Sequence, residues 1–533
     1  MKPRRSLSTI LKCVLILLTL RTSALAQSTH ELMQKGMAAL QSNDFKRAEQ
    51  IYTELVKKDP SAANLHYLAI AEFSAGAVEP AIVHFKQSQR LGDDSPNLHY
   101  YLGLAYMQHQ EQSAGIREFR VALAKDPKLF PAEAALGIAL LNARQPKDAL
   151  PHLERARAHS GNDPEIAASF VRAEFDAGDA KKALVGIDDA VDKIPDNPRL
   201  DATLAFLCLH HQEAQKARQL LESASELTPQ DTTLKLLLAE ASLRAGEPVE
   251  ALAVLKGIPE AAGNGGELAF LRGSAYLLGG KTAEAAPYLS AAIAADPVNV
   301  DYLFAYAGLQ GAEELYSDAL ATLSKARQLD AQSDSILYQM AVTYALMHRY
   351  TEAMQACQDA LRLTGRQEEI YFLMGVIKLE QGDSRGAEES LRLALALNSR
   401  VALYHAARGV ALFEMSNPAE SQQELNRALA LDVQATPAYL WRARLLARQG
   451  QLNQAIADYV TYTTLAPDVA KAYQELEALY RQTGQAEQAA AAHTKYVALK
   501  AEKGEEERAP SFLDQLWLTR IREGLVQADS AAR

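Results

Sequence analysis

The sequence contains few cysteines and few aromatic residues. Of 533 residues, three are cysteine and 7% are aromatic, and neither a Cys-x-x-Cys nor a His-Glu-x-x-His pattern occurs. The chain therefore lacks the signatures of a disulfide-stapled domain and of the common zinc sites. His210 and His211 are adjacent, so on a helix they would point about 100° apart and could not both face one metal ion. We predict no catalytic, cofactor-binding or metal-binding residues.

Strand-like segments and long apolar runs are also scarce. Hydrophobic residues make up 48% of the chain, and Ala and Leu dominate them, which is typical of closely packed helices. An apolar run near the N-terminus, from Cys13 to Leu20, is shorter than the ~20 residues that a membrane-spanning helix needs. The sequence thus predicts an all-α protein that does not span a membrane once its N-terminal segment is removed.

That N-terminal segment has the three parts of a secretory signal peptide. Lys2 and the Arg4-Arg5 pair form a basic start, residues 14–20 form an apolar core, and small residues precede a cleavage site after Ala26. We therefore assign residues 1–26 to the signal and expect an exported chain, periplasmic or secreted. Export by the general or the twin-arginine route is left open.

Acidic residues outnumber basic ones. The formal net charge is −11, and the first 26 residues hold five basic and no acidic residues, so their removal changes the net charge to −16. Nucleic acids and anionic membranes bind basic surfaces. We predict neither as a partner.

Alanine recurs at a fixed interval along the chain. Eight alanines are each 34 residues apart: Ala149, Ala183, Ala217, Ala251, Ala285, Ala319, Ala353 and Ala387. The series extends, with one 33-residue step, back to Ala48 and forward to Ala489, which gives fourteen consecutive repeats. This period is typical of a solenoid, in which each small unit buries its apolar face against its neighbours.

Other positions of the repeat are also constrained. If the alanine series is position 20, position 8 is Gly or Ala in twelve of the fourteen repeats, position 24 is usually large and apolar, and position 32 is often Pro. In the third repeat these residues are Gly103, Phe119 and Pro127. Small residues at positions 8 and 20 predict close contact between two antiparallel helices, and the proline predicts the end of the second helix.

This pattern resembles the tetratricopeptide repeat. The third repeat carries the resemblance most clearly, through Leu102, Gly103, Tyr106, Gly115, Phe119, Ala122 and Pro127. The resemblance implies an α-solenoid of about fourteen helix-turn-helix units. It further implies that 28 antiparallel helices form a right-handed superhelix, with the first helix of each unit on the concave side.

One segment interrupts the repeats in the middle of the chain. Residues 259–267 are Gly-rich and separate units 1–7 (residues 27–258) from units 8–14 (residues 268–503). The segment is either a hinge between two halves or a relaxed loop between repeats. The unbroken 34-residue spacing from Ala251 to Ala285 favours the loop.

The last segment, residues 504–533, begins as a charged linker. Its apolar residues then follow a helical pattern: Phe512, Leu513, Leu516, Trp517, Ile521 and Leu525. We predict a capping helix that covers the exposed face of the last unit. The alternative is a docking peptide for another protein, with Trp517 as its anchor.

Position 5 of the repeat, on the first helix, is the candidate partner-binding position, because the resemblance places it in the concave groove. The candidate residues are Tyr100, Leu236, Phe270, Phe304, Tyr338, Phe372 and Leu440. The four aromatic residues of units 8–11 would form a ladder that takes an extended or helical protein segment. The alternative is that each side chain packs between neighbouring units.

We therefore expect an exported, non-enzymatic scaffold that binds protein or peptide partners in its groove and needs no cofactor. Resemblance to exported repeat proteins implies a role in envelope assembly or secretion. A carbohydrate-binding or polysaccharide-export adaptor is the alternative, since aromatic rings stack on sugars and Glu267, Asp301 and Glu369 lie near the ladder in sequence. An enzyme with a site dispersed over the groove is less favoured. The pattern predicts no particular oligomeric state.

Overall fold

The computed structural model describes residues 29–160, 162–259, 265–363, 367–503 and 512–513. Within these ranges the regular structure consists of twenty-eight helices, α1–α28, without a strand. The prediction of fourteen helical pairs is confirmed. The predicted signal peptide lies outside the described residues, as does most of the predicted C-terminal helix.

The chain divides into two compact units, residues 1–211 and residues 212–533. The helices of the first unit are α1 (29–41), α2 (Phe45–Lys58), α3 (Ala62–Ser74), α4 (Val78–Arg90), α5 (Pro96–Gln108), α6 (Gln112–Lys125), α7 (Phe130–Asn142), α8 (Pro146–His159), α9 (Pro164–Asp176), α10 (Ala180–Lys193) and α11 (Pro198–His210).

The second unit contains seventeen of the described helices. They are α12 (Ala214–Leu227), α13 (Thr232–Ala245), α14 (Pro248–Lys256), α15 (Gly265–Leu278), α16 (Thr282–Ala295), α17 (Val300–Ala312), α18 (Tyr316–Leu329), α19 (Asp334–Leu346), α20 (Tyr350–Leu361), α21 (Gln367–Glu380), α22 (Ser384–Leu397), α23 (Ala402–Glu414), α24 (Pro418–Leu431), α25 (Thr436–Arg448), α26 (Leu452–Leu465), α27 (Ala470–Gln482) and α28 (Ala486–Lys503).

The proposed hinge at residues 259–267 falls inside the second compact unit. Residues 260–264 of that segment lie outside the described residues, and the flanking helices α14 and α15 pack against each other. The division between the two compact units instead follows α11. The hinge stays a prediction.

Within each compact unit, small residues at positions 8 and 20 bring paired helices together. Eleven of the twelve position-20 alanines are completely buried, and Ala489 is nearly so. A Cβ atom added to Gly103 would lie 2.6 Å from Cε1 of Phe119, because the position-24 ring occupies that space. In unit 12 the position-20 residue is Ser421, whose hydroxyl donates a hydrogen bond to the Gly409 carbonyl at 2.7 Å. The predicted close contact is confirmed.

A left-handed residue joins the two helices of every unit. Position 15 has a positive φ in all fourteen units, between 57° and 89°, and it is Gly in seven of them. The other seven residues are Asn43, Gln110, Arg144, Gln212, Glu314, His348 and Ser416. This conformation ends the first helix and reverses the chain within three residues. The Gly279-Gly280-Lys281-Thr282 segment is such a turn.

We expect Gly280→Val to destabilise the second compact unit by about 2 kcal/mol, because a β-branched residue is strained at the φ of +73° found there. A side chain at this site would meet no atom within 4 Å, so the cost is conformational rather than steric. Urea unfolding followed by circular dichroism measures it. Gly280→Asn is the matched control, since Asn43 adopts this conformation in unit 1, and it should cost much less. Equal losses for Val and Asn would contradict this explanation.

Candidate functional site

The candidate residues at position 5 lie mostly inside the helical stacks. Five of the seven are buried, namely Leu236, Phe304, Tyr338, Phe372 and Leu440. Tyr100 and Phe270 are half-buried, and burial raises the pKa of the Tyr100 hydroxyl. These side chains therefore offer a partner little open surface.

Two rings of the proposed aromatic ladder pack against the next unit. The Phe270 ring lies 5.0 Å from the Tyr302 ring, and the Phe372 ring stacks on the Tyr404 ring at 4.6 Å. Tyr302 and Tyr404 both occupy position 3 of the following unit. The interpretation as packing between units thus accounts for Phe270 and Phe372. A partner-binding role for position 5 stays a prediction, as does the carbohydrate alternative.

Positions 6 and 9 of the first helix, rather than position 5, face away from the paired second helix. In units 2–4 they form a row of half-buried, largely apolar residues, here called the open strip: Tyr67, Ile70, Tyr101, Leu104, Ala135 and Ile138. The Tyr67 ring stacks on Tyr52 at 5.6 Å, and Tyr101 meets Tyr100 edge-on at 5.1 Å. The two tyrosine rings are thus held in place by neighbouring rings.

The same two positions are fully covered in units 8–12. We call this set the covered floor: Leu271, Ser274, Ala305, Gly308, Gln339, Val342, Leu373, Val376, Ala407 and Val410. All ten residues are buried, whereas the equivalent residues of the open strip are not. Helix α19 is buried around almost its whole circumference. The first helices of units 8–12 are therefore buried on a face that is accessible in units 2–4.

Phe512 and Leu513 pack within the core to which the covered floor belongs. Both are buried, and they share one hydrophobic cluster with Val342, Val376 and Val410 of the floor. The Phe512 ring meets the Phe372 ring edge-on, with centroids 6.5 Å apart. These two residues of the predicted capping segment pack against unit 11 rather than against the last unit. The rest of that segment lies outside the described residues, and the capping helix stays a prediction. The floor offers five units of apolar surface, which is more than the end of one unit provides.

Two polar side chains of the covered floor, Ser274 and Gln339, lack hydrogen bonds. Gln339 on α19 is completely buried, and neither its amide nitrogen nor its amide oxygen has a partner. A buried unsatisfied amide is unfavourable and uncommon. It can donate one hydrogen bond and accept another from the backbone of a segment that lies over the floor.

A pocket of about 520 Å³ lies further along the first helices, in units 12–14. Arg444 donates two hydrogen bonds to Glu475, at 3.0 and 2.8 Å, and lies over the Trp441 ring. Tyr459 also donates to Glu475, and burial raises the pKa of its hydroxyl. Arg444 and Glu475 satisfy each other's hydrogen-bonding groups. We therefore interpret these two charged residues of the pocket as a structural ion pair.

No arrangement of catalytic side chains emerges from the described residues. They contain no group of three or more His, Cys, Asp or Glu that could hold a metal ion. Gly382-Asp383-Ser384-Arg385-Gly386 fits the Gly-x-Ser-x-Gly nucleophile pattern, which usually follows a strand. Here it spans the turn after α21 and the first residues of α22, and the Ser384 hydroxyl donates to Glu414 at 2.6 Å. Cys208 and Cys357 are buried and form no disulfide with each other, as expected of core residues.

None of the described helices combines the length and apolarity that crossing a membrane requires.

Comparison with known families gives one consistent result. Three family models, each described as tetratricopeptide repeat, match residues 33–96, 140–207, 209–272, 270–335, 368–400 and 406–470. These matches cover more than half of the chain. A search among curated proteins finds no match.

Two solved structures are among those similar to this chain. One, titled as the crystal structure of the APC/C hetero-tetramer Cut9-Hcn1, is 16% identical over 92% of this chain and 96% of that chain, with a TM-score of 0.48. The other, the crystal structure of MamA, is 22% identical over 30% of this chain and 94% of that chain, with a TM-score of 0.27.

Proposed function

Because the chain belongs to the tetratricopeptide repeat family, we propose that it is an exported, non-enzymatic scaffold that binds a segment of a partner protein on the open strip. The predicted signal peptide supports export. A role in envelope assembly or secretion follows from the resemblance to exported repeat proteins. Apolar surfaces that recur from unit to unit suit an extended or helical segment better than a small molecule.

One observation supports this proposal above the others. Positions 6 and 9 of the first helices are covered in units 8–12, where Phe512 and Leu513 join the same core. In units 2–4 the same positions, with comparable apolar residues, remain accessible. The first helices therefore accept apolar side chains from outside the repeats. The open strip presents the same kind of surface without a cover in this chain.

The chemistry of the open strip favours a protein segment over a sugar. The strip is mainly aliphatic, because Ile70, Leu104 and Ile138 at position 9 accompany only two tyrosines at position 6. A sugar site would alternate aromatic rings with hydrogen-bonding side chains. An aliphatic and aromatic surface instead matches the apolar face of an amphipathic helix. The partner we propose is such a segment of another exported protein.

The test compares capture of exported proteins by the full mature chain and by two triple variants. The strip variant carries Ile70→Gln, Leu104→Gln and Ile138→Gln, which should be tolerated because the same position holds Arg172 in unit 5. The control variant carries Val83→Gln, Val121→Gln and Val185→Gln on second helices, where these valines are 51%, 36% and 68% exposed. The number of changes and their chemistry are the same in both.

We expect the strip variant to retain less than about a tenth of each specifically captured protein, since losing three buried apolar contacts weakens binding by several kcal/mol. The control variant should capture as much as the unchanged chain. Equal capture by both variants, with helicity preserved in each, would place the partner elsewhere and refute the proposal.

A further inference from the structure

We propose that His99 and His405 are proton-binding sites that make the pairing of helices in units 3 and 12 depend on pH. Each histidine lies at position 4 of a first helix and is held as an imidazolium cation between oxygen atoms from two other parts of the chain. Proton uptake stabilises these helix pairs as the pH falls from alkaline values towards about 6. The inference does not depend on the proposed function.

The ring of His99 meets an oxygen atom at each of its two nitrogens. Nδ1 lies 2.7 Å from a carboxylate oxygen of Glu118, at position 23 on α6, and Nε2 lies 3.0 Å from a carboxylate oxygen of Asp94, in the turn before α5. The residue is only 3% exposed, so water has little access to the ring. A neutral imidazole has one N–H donor and one bare nitrogen. Only the imidazolium satisfies both contacts.

His405 repeats this arrangement in the second compact unit. Its Nδ1 lies 2.6 Å from a carboxylate oxygen of Glu424, at position 23 on α24, and its Nε2 lies 3.0 Å from the backbone carbonyl oxygen of Ser399. The residue is 8% exposed. A carbonyl oxygen can only accept a hydrogen bond, so Nε2 carries a proton, and the carboxylate requires a second proton on Nδ1. Positions 4 and 23 thus hold the same two residue types in units 3 and 12.

The carboxyl groups of Asp94 and Glu424 are ionised, which leaves the proton on the rings. Lys125 also donates to Asp94, and the hydrogen bonds from Lys125 and His99 lower the pKa of that carboxyl. Burial acts to raise the pKa of Glu424, but the hydrogen bonds and charges of His405 and Arg408 lower it overall. An imidazole is also more basic than a carboxylate by about two pH units.

The charged groups that face His99 are the carboxylates of Glu118 and Asp94. The other helices packed against α5 carry charged residues that are engaged elsewhere, namely Glu72 with His84, Lys86 with the Tyr106 ring and Glu133 with His152. The hydrogen bond to Glu118 raises the pKa of His99; burial opposes this effect and the hydrogen bond to Asp94 adds to it.

His405 has cations as well as a carboxylate nearby. The hydrogen bond to Glu424 raises the pKa of His405, burial opposes it, and the charge of Arg427 on α24 also acts to lower it, but the net shift is upward. Arg408, on the same helix as His405, is held by Glu424 and by Glu388 from α22. Charged residues on α21 and α25, which also pack against α23, are engaged elsewhere, namely Lys378 with Ser390 and Arg442 with Asp458.

The effect of pH on stability follows from the direction of these two shifts. A histidine whose pKa is higher in the folded chain binds its proton more tightly there than in the unfolded chain. Its contribution to stability is complete below the unfolded pKa of about 6.5 and is lost as the pH rises through the folded pKa. Helix α5 also carries Tyr101 and Leu104, so the His99 site stabilises one helix of the open strip.

The first experiment follows the protonation of both rings by NMR of the full mature chain with 15N-labelled histidine. His99→Gln and His405→Gln identify the two signals by removing them. We expect each signal to titrate with a midpoint above that of the histidines in the urea-unfolded chain. Midpoints equal to or below the unfolded value would overturn the inference.

A pair of variants tests the oxygen atom that faces Nε2 of His99. Asp94→Ala removes a side chain that is 66% exposed, and Asp148→Ala, at an exposed residue of α8, is the matched control. We expect the His99 midpoint to fall in the first variant and to stay unchanged in the second, because a ring with one acceptor does not require both protons. An unchanged midpoint after Asp94→Ala would refute the role assigned to this contact.

Urea unfolding tests whether the proton stabilises the fold. Tryptophan fluorescence reports on the second compact unit, because Trp441 and Trp517, the two tryptophans of the chain, lie within residues 212–533. Between about pH 6 and about pH 8.5, we expect the unfolding equilibrium constant to rise at least about threefold more for the unchanged chain than for His405→Gln.

The matched control for this measurement is His348→Gln, at an exposed histidine of the same compact unit. Gln110 adopts the left-handed conformation of His348 at the same repeat position, so the change is compatible with the backbone. This control should retain the pH dependence of the unchanged chain. The same pH dependence in His405→Gln as in the unchanged chain would overturn the inference.

Discussion

Gly103→Val is expected to destabilise the first compact unit by about 3 kcal/mol, because it overpacks the tightest contact of unit 3. A Cβ at this site would lie 2.6 Å from the Phe119 ring, which is itself completely buried. Phe119→Ala, which leaves a cavity at the same contact, should cost about 4 kcal/mol. Chemical unfolding followed by circular dichroism measures both losses.

The double variant tests whether this contact is the cause. The methyl groups of the introduced valine would occupy the space vacated by the Phe119 ring. The double variant should therefore lose at least about 1 kcal/mol less stability than the sum of the losses of the two single variants. The control pair is Gly103→Val with Leu153→Ala, whose buried leucine belongs to the next unit, and it should be additive. Additivity in both pairs would show that position 8 is not limited by the position-24 ring.

Arg408→Ala is expected to destabilise the second compact unit by about 2 kcal/mol, more than a surface ion pair is worth. Its guanidinium donates to Glu388 at 2.9 and 3.1 Å and to Glu424 at 2.7 Å, and thereby connects units 11 and 12. Glu424 also holds His405 at 2.6 Å, and this hydrogen bond raises the pKa of His405. Removing the arginine leaves two half-buried carboxylates close together.

Arg408→Lys separates geometry from charge. Lysine keeps the positive charge but cannot reach both carboxylates with a planar fork, so about half of the loss should remain. Urea unfolding at neutral pH measures the stability loss of both Arg408 variants. A loss below about 0.5 kcal/mol for Arg408→Ala, the value of an exposed pair, would mean that Glu388 and Glu424 remain solvated and that the network does not connect the units.

The positions of the repeat could be assigned from the sequence because the residue at each position is restricted by side-chain volume. Contact between the two helices of a unit leaves no room for more than Gly, Ala or Ser at position 20, so Ala285 and Ser421 could be assigned from spacing alone. The turn at position 15 was missed for a physical reason. Its left-handed backbone favours Gly, yet residues such as Arg144 and His348 adopt it at modest cost, so no single residue type marks it.

The candidate site was predicted less well than the frame. The aromatic residues at position 5 led to the prediction of a binding groove. Phe304 and Phe372 are large enough to fill the space between units, however, and are buried there. Residues of the covered floor such as Gly308 and Val376 carry the better signal: they are small or apolar where Arg172 and Glu240 stand in other units. Periodicity assigns residues to a helix face, whereas the distribution of charge along the stack shows where that face is apolar.

The position of Phe512 and Leu513 could not be derived from the sequence pattern of the C-terminal segment. Phe512, Leu513 and Trp517 predict an amphipathic segment that needs an apolar surface, but the pattern does not say which surface. The end of unit 14 is nearest in sequence, and the floor of units 8–12 is larger. Burial of apolar area favours the larger surface, and the contact between Phe512 and Phe372 agrees with that preference.

The most direct test of the account is a photo-crosslinking experiment in cells that export the full chain. A photo-reactive residue is placed at Leu104 on the open strip or, as the control, at Val121 on the second helix of the same unit. We predict that Leu104 crosslinks to a discrete partner protein and that Val121 does not. Crosslinks to the same proteins from both sites, or from Val121 alone, would contradict the claim that the first-helix face is where this protein binds its partner.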